Sequence, residues 1–114
     1  MEFACKIAGS KIIVVLGHSN CGAIKGACDH AEMGNLTQLL AKIQPAIDAE
    51  KTVIDERNSS NTDFVDKVTQ INVKGAIKKI TQDSAILCAM VDKNELQIIG
   101  GVHNLQTGQV IFDL

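Results

Sequence analysis

The sequence has no tryptophan, no tyrosine, one proline and a single arginine. Three phenylalanines make up its whole aromatic share of 3%, so any core must be built from Ile, Val, Leu and Ala. Neither sign of charge dominates. Eleven basic against 13 acidic residues leave a net charge of -2, which excludes a strongly basic nucleic-acid binder. No apolar run reaches the roughly 20 residues of a membrane span, and no basic-then-apolar leader follows Met1. The expectation is a cytoplasmic protein with neither nucleic acid nor membrane as partner. Internal repeats and low-complexity segments are also missing.

What is present is enough for one domain spanning 1-114. The apolar fraction of 46% is ordinary for a globular chain of 114 residues. Four cysteines, Cys5, Cys21, Cys28 and Cys88, could in principle form two disulfides. A reducing compartment argues instead for buried free thiols or a metal site.

Hydrophobic spacing predicts an α/β order. Glu2 to Ala8 reads as the tail of a helix, with Phe3, Ala4 and Ile7 at helical spacing and Gly9 as its stop. Ile12 to Leu16 is an unbroken aliphatic run ending at Gly17, and reads as a strand buried on both faces of a mostly parallel sheet. Gly17 to Gly22 is a turn, and Ala23 to Ala31 reads as helical. Leu36, Leu39, Leu40, Ile43 and Ile47 trace a second helical stripe, which Pro45 should kink or divide. After the polar stretch 56–61 a long helix is expected, capped by Asn61 or Thr62, with Phe64, Val68, Ile71 and Ile80 inward. A short helical turn near Ser84 to Val91 precedes a strand over Leu96 to Val102. Val110-Ile111-Phe112 then forms its hairpin partner. The predicted order is α-β-α-α-α-β-β.

Chemistry concentrates at His18 and Cys21, an H-x-x-C pair directly after the first strand. Sites in open α/β sheets lie at the carboxyl ends of strands. Cys21 stands where a helix begins, and a helix N-terminus favours anionic sulfur. On a turn bounded by Gly17 and Gly22, an imidazole and a thiolate three positions apart can face one metal, and an N/S set suits zinc. The bland alternative is a packed loop histidine beside a buried cysteine.

The stretch from Ile12 through Gly17-His18-Ser19-Asn20-Cys21-Gly22 to Lys25 closely resembles the second zinc motif of the β-class carbonic anhydrases (carbonate dehydratases). Gly26-Ala27-Cys28-Asp29, Gly34-Asn35-Leu36-Thr37, Lys42-Ile43-Gln44-Pro45-Ala46 and Asn72-Val73 resemble one bacterial branch of that family. The ending Ile99-Gly100-Gly101-Val102, with Asn104 to Gly108, resembles its last strand pair. The resemblance implies a short, mostly parallel sheet flanked by helices, dimer-based assembly, and a zinc lyase that reversibly hydrates CO2 to bicarbonate. It assigns His18 and Cys21 to the metal and gives no residue of this chain a catalytic role.

One departure stands out. The family's third zinc ligand is the Cys of a C-x-D-x-R motif on an earlier strand, whose Asp and Arg manage the fourth zinc position. This chain has no C-x-D-x-R, and its only arginine is Arg57 in the polar loop. By the resemblance it is truncated at the N-terminus and corresponds to the C-terminal portion of the family fold.

Substitutes for that ligand are poor. Cys28, seven positions after Cys21, lies about 10 Å along a helix, whereas two sulfurs on one zinc are about 4 Å apart. His30 reads as exposed, Cys5 and Cys88 as core thiols, and His103 as a packed or surface histidine. Zinc is then either not held or shared between two subunits, each giving one His18/Cys21 pair to a Cys2His2 set. The family's missing strand would lie beside Lys11 to Gly17. Its loss bares an apolar edge, so a homo-oligomer (a dimer or a higher even assembly) or another polypeptide is expected there. The alternative to an enzyme is a non-catalytic oligomeric or partner-binding remnant of the fold.

Overall fold

A computed structural model describes the whole chain, Met1–Leu114. A single π-type helical turn, Phe3–Ile7, leads into strand β1 (Ile12–His18). Five helices follow: α1 (Gly22–Cys28), α2 (Gly34–Ala41), α3 (Gln44–Ala49), α4 (Thr62–Asp83) and α5 (Ala85–Asp92). Strands β2 (Gln97–His103) and β3 (Val110–Ile111) complete the chain. Five helices rather than three therefore separate the first two strands. The divided second helix and the turn after Ser84 account for the difference. Pro45 sits in the first turn of α3, where its missing N–H is harmless, and so starts a new helix rather than kinking an old one.

The sheet has strand order β1-β2-β3. β1 and β2 run parallel, from Ile12 opposite Gln97 to His18 opposite His103. β3 returns antiparallel, with Val102 opposite Ile111. α4 lies on one face, and two glycines let it approach. A Cβ on Gly17 would come within 2.9 Å of Val73, and one on Gly100 within 2.5 Å of Ile77 and 2.9 Å of Val73. Val73 thus touches both strands.

The opposite face corrects the expectation of a strand buried on both sides. Ile13 and Val15 turn toward the helices. Ile12, Val14 and Leu16 stay 50%, 46% and 49% exposed. An aliphatic run lets a strand be covered twice, but covering also needs a second layer. On this face only the chain after β3 folds back, with Phe112 over Gly101.

The main core lies among the helices. Ile24, Ala27, Cys28, Leu40, Ile43, Ala46, Ile47, Phe64, Val65 and Val68 form one buried cluster joining α1, α2, α3 and α4. Each fully buried large apolar side chain contributes about 1.5–3 kcal/mol. Asn61 caps α4 by accepting a hydrogen bond from the Phe64 N–H at 3.3 Å, and Ser84 caps α5 by accepting from the Leu87 N–H at 3.2 Å. A smaller cluster of Cys5, Leu87, Met90 and Leu96 holds the N-terminal turn to α5. Here the helical spacing misleads, because Phe3 and Ile7 are exposed and Cys5 points inward. No helix is long and apolar enough to cross a membrane.

Two carboxylates pin the loops around the helical core. Asp29, just beyond α1, accepts from the Ser59 N–H at 2.7 Å and the Ser59 hydroxyl at 2.6 Å. Glu50, at the end of α3, accepts from the Thr52 and Val53 N–H groups and the Thr52 hydroxyl. Arg57 donates to the Val53 carbonyl at 2.8 Å and the Ile47 carbonyl at 2.9 Å, with its guanidinium 4.6 Å from the centre of the Phe64 ring. The chain's one arginine is therefore a brace for the α3–α4 connection.

Candidate metal centre

β1 runs two residues further than the sequence suggests, so His18 is its last residue rather than part of the following turn. His18 keeps the alternation of Ile12, Val14 and Leu16 and stands on the uncovered face, where His103 is its partner in register. His18 Nδ1 lies 2.9 Å from the Ser19 carbonyl. As the N–H donor there, Nδ1 leaves the Nε2 lone pair free, the arrangement that orients a metal-binding imidazole.

The turn between histidine and cysteine is held firmly. Ser19 N–H donates to the His103 carbonyl at 2.9 Å, and the Ser19 hydroxyl oxygen accepts from the Leu105 N–H at 2.9 Å. Asn20 takes the left-handed conformation at φ 55°, and Lys25 Nζ donates to its side-chain oxygen. The sharp corner is thus made by an asparagine, which tolerates this region better than most residues. Gly22 opens α1 with nothing within 4 Å of where its Cβ would be, so no steric demand for glycine acts there. Gly17 serves the approach of α4 rather than the turn. Cys21 occupies the N-cap of α1, half-buried against the helical core.

The other candidates lie elsewhere. Cys28 is 1% exposed in the helical core; burial pushes its thiol pKa up, and Asp29 adds to that against a smaller opposing effect of Arg57. Cys5 is buried, whereas Cys88 is half-exposed beside Asp92 rather than a core thiol. All four cysteines are free. His30 is exposed, past the end of α1 at φ 55°. His103 is the residue whose position the sequence hides. No local pattern links it to His18, because the pairing joins strands 85 positions apart. Even so, no three His, Cys, Asp or Glu side chains converge to hold a metal. His18 and Cys21 suit zinc in kind but supply two ligands where a zinc site needs three or four. The residues present do not fit a complete zinc site. An open groove of about 660 Å³ lined by Met1, Phe3, Ala76, Ile80 and Leu87 does not reach this end of the sheet.

A sequence profile described as carbonic anhydrase matches residues 1–110. The chain belongs to the carbonic anhydrase family. A carbonic anhydrase of Candida albicans is 24% identical over 109 residues, covering 95% of this chain and 38% of the relative. Among solved structures, the β-carbonic anhydrase of Coccomyxa in complex with acetazolamide superposes with a TM-score of 0.80 at 23% identity. It covers 98% of this chain and 50% of its own. One of two tetrameric β-carbonic anhydrases of Sordaria macrospora gives 0.77 at 25%, covering 98% and 56%. The fold is that of the β-carbonic anhydrases, and this chain spans about half the length of those structures and less of the curated relative. The α/β architecture and the β-class resemblance inferred from the zinc-motif stretch both hold.

Proposed function

We propose that this chain carries half of a β-carbonic anhydrase zinc site and does not hydrate CO2 by itself. The observation that carries the reading is His18 at the end of β1, with Nε2 left free, and Cys21 at the N-cap of α1, in a chain where no three metal-ligating side chains converge. The family reaction, reversible hydration of CO2 to bicarbonate, then requires a ligand and an Asp/Arg pair from outside these 114 residues. Arg57 is unsuited to that role, since its guanidinium is spent on two carbonyls and the Phe64 ring.

A non-catalytic role is the second reading, and the open face of β1 favours it. Three half-exposed aliphatic side chains on a strand end are the mark of a surface that meets another polypeptide. The tetrameric relatives of Sordaria macrospora support a homo-oligomer, dimeric or higher and even-numbered, for this chain. In that case any zinc would be shared, with two His18/Cys21 pairs closing a structural site. A cytoplasmic location remains part of the proposal.

Stopped-flow CO2 hydration together with zinc content per chain tests both readings. The purified chain should show a rate at background and less than one zinc per chain. A zinc-dependent rate well above background, abolished by Cys21→Ser, would overturn the proposal. A zinc at half stoichiometry, lost in His18→Ala along with assembly and without activity at any stage, would favour the structural reading.

A further inference from the structure

Ser19 directly follows β1, and its N–H, its carbonyl and its hydroxyl are all engaged. The carbonyl oxygen lies 2.9 Å from His18 Nδ1. The N–H donates to the His103 carbonyl at 2.9 Å, one step past the last register pair of β1 and β2. The hydroxyl oxygen accepts from the Leu105 N–H at 2.9 Å, across 86 positions of sequence. The donor in that last bond is itself fixed, because Leu105 belongs to the connection between β2 and β3. There the Asn104 carboxamide oxygen accepts from the Gln106 N–H at 2.9 Å and the Thr107 N–H at 3.2 Å. The Asn104 N–H donates to the Gln109 carbonyl and its carbonyl accepts from the Gly108 N–H, each at 2.8 Å.

We propose that Ser19 is a positioning residue, through which the β2–β3 connection sets the tautomer and the aim of the His18 ring. A carbonyl only accepts, so the hydrogen in the bond between His18 and Ser19 belongs to Nδ1. In a neutral imidazole the hydrogen bond made by one nitrogen decides which of the two carries the proton. Free histidine side chains in water prefer the opposite form, with the proton on Nε2. Keeping it on Nδ1 therefore needs a carbonyl that stays in place, and this is the one hydrogen bond that the ring makes. The Ser19 N–H bond fixes the residue on its N-terminal side alone and leaves the carbonyl free to turn. The hydroxyl bond to Leu105 holds the same Cα from a second direction and restricts that turning. A loop that does not touch the imidazole thus controls where its Nε2 lone pair points. The purpose of this control rests on the reading of His18 as a ligand in half of a zinc site, but the tautomer is a property of the metal-free chain.

The test reads the His18 ring nitrogens by NMR in the metal-free chain at about pH 8, where imidazole is ordinarily neutral. The native chain should show Nδ1 protonated and Nε2 bare. Ser19→Ala should lower the ratio of the Nδ1–H to the Nε2–H form about three- to tenfold, the worth of one hydrogen bond. Ser19→Thr keeps the hydroxyl and should hold the native ratio. Leu105→Pro removes the donor without touching Ser19, at a turn residue whose N–H has no other partner, and should lower the ratio as Ser19→Ala does. Circular dichroism checks that each variant stays folded. If Ser19→Ala does not, Leu105→Pro and Ser19→Thr decide the matter between them. A native ring protonated on Nε2 overturns the proposal. So does an unchanged ratio in folded Ser19→Ala or Leu105→Pro, or a ratio in Ser19→Thr that falls as far as in Ser19→Ala. Each of these leaves the half-site reading standing, since that reading fails instead on zinc-dependent CO2 hydration by the native chain.

Discussion

The helical half and the sheet half of this protein are finished to different degrees. Around Phe64 and Val68, both 0% exposed, four helices enclose an aliphatic cluster on every side, and Arg57 and two carboxylates tie down the connecting loops. The sheet is closed on the α4 face alone; its other face and its β1 edge remain open. Both halves draw on the same residue types, so composition does not separate them. The difference lies in the number of layers each has been given. A domain is commonly two or three packed layers around a core. The helical half provides its own, and the sheet half has one of the two it needs. Stability is therefore concentrated in the helices, and the candidate ligands His18 and Cys21 lie at the end of the thinner sheet half.

That contrast can be broken at its strong end. Phe64→Ala should cost about 3–5 kcal/mol, because it removes the largest fully buried side chain and the ring beneath Arg57. Urea unfolding measures it, and a loss under 1 kcal/mol would mean that the helical cluster does not hold the chain together. Gly17→Ala should cost less, about 1–3 kcal/mol, since its Cβ meets Val73 and Thr69 side chains that can shift a little. A measurable shift of the His18 ring resonances should accompany it, as α4 is pushed from the end of β1.

The smallest effect is acid sensitivity, which should be localised in the helical half. Hydrogen bonds from Ser59, side chain first and then backbone, lower the Asp29 pKa. The Val53 N–H, then Thr52, lowers that of Glu50. A depressed folded-state pKa adds stability above the unfolded value, about 3.9 for Asp and 4.3 for Glu, and loses it as pH falls through the folded value. The urea midpoint should therefore be insensitive to these groups from pH 5 to 8 and decline below about pH 4. Glu50→Gln should flatten part of that decline. An unchanged slope in this variant would show that Glu50 is not a pin of the loop.

Much of this was legible in the sequence because it rests on local rules. Asn61 and Ser84 cap helices by bonding within one turn, Pro45 starts a helix by lacking an N–H, and an aliphatic run of five makes a strand wherever it lies. That His18 and Cys21 flank the strand-to-helix corner was legible for the same reason. Three positions on a strand-to-helix corner carry their own geometry. The one-sided burial of β1 was not legible. Ile12 to Leu16 records what the fold could bury, and whether a second layer arrives depends on chain far away. His103 beside His18 and Cys5 inward in place of Phe3 depend likewise on distant partners.

The β1–β2 pairing also places an order on events in time. Ile12 and Gln97 are neighbours in the sheet yet 85 positions apart in the chain. At a ribosomal pace of about 5–20 residues per second, β1 waits roughly 4–17 seconds for β2 to be made. The edge that β2 will fill is bare throughout that interval, and the helices between can fold around Phe64 without it. The strand that bears His18 is thus written well before its partner and among the last secured. During that delay a chaperone, or a neighbouring chain on the same message, has its best opportunity to reach it.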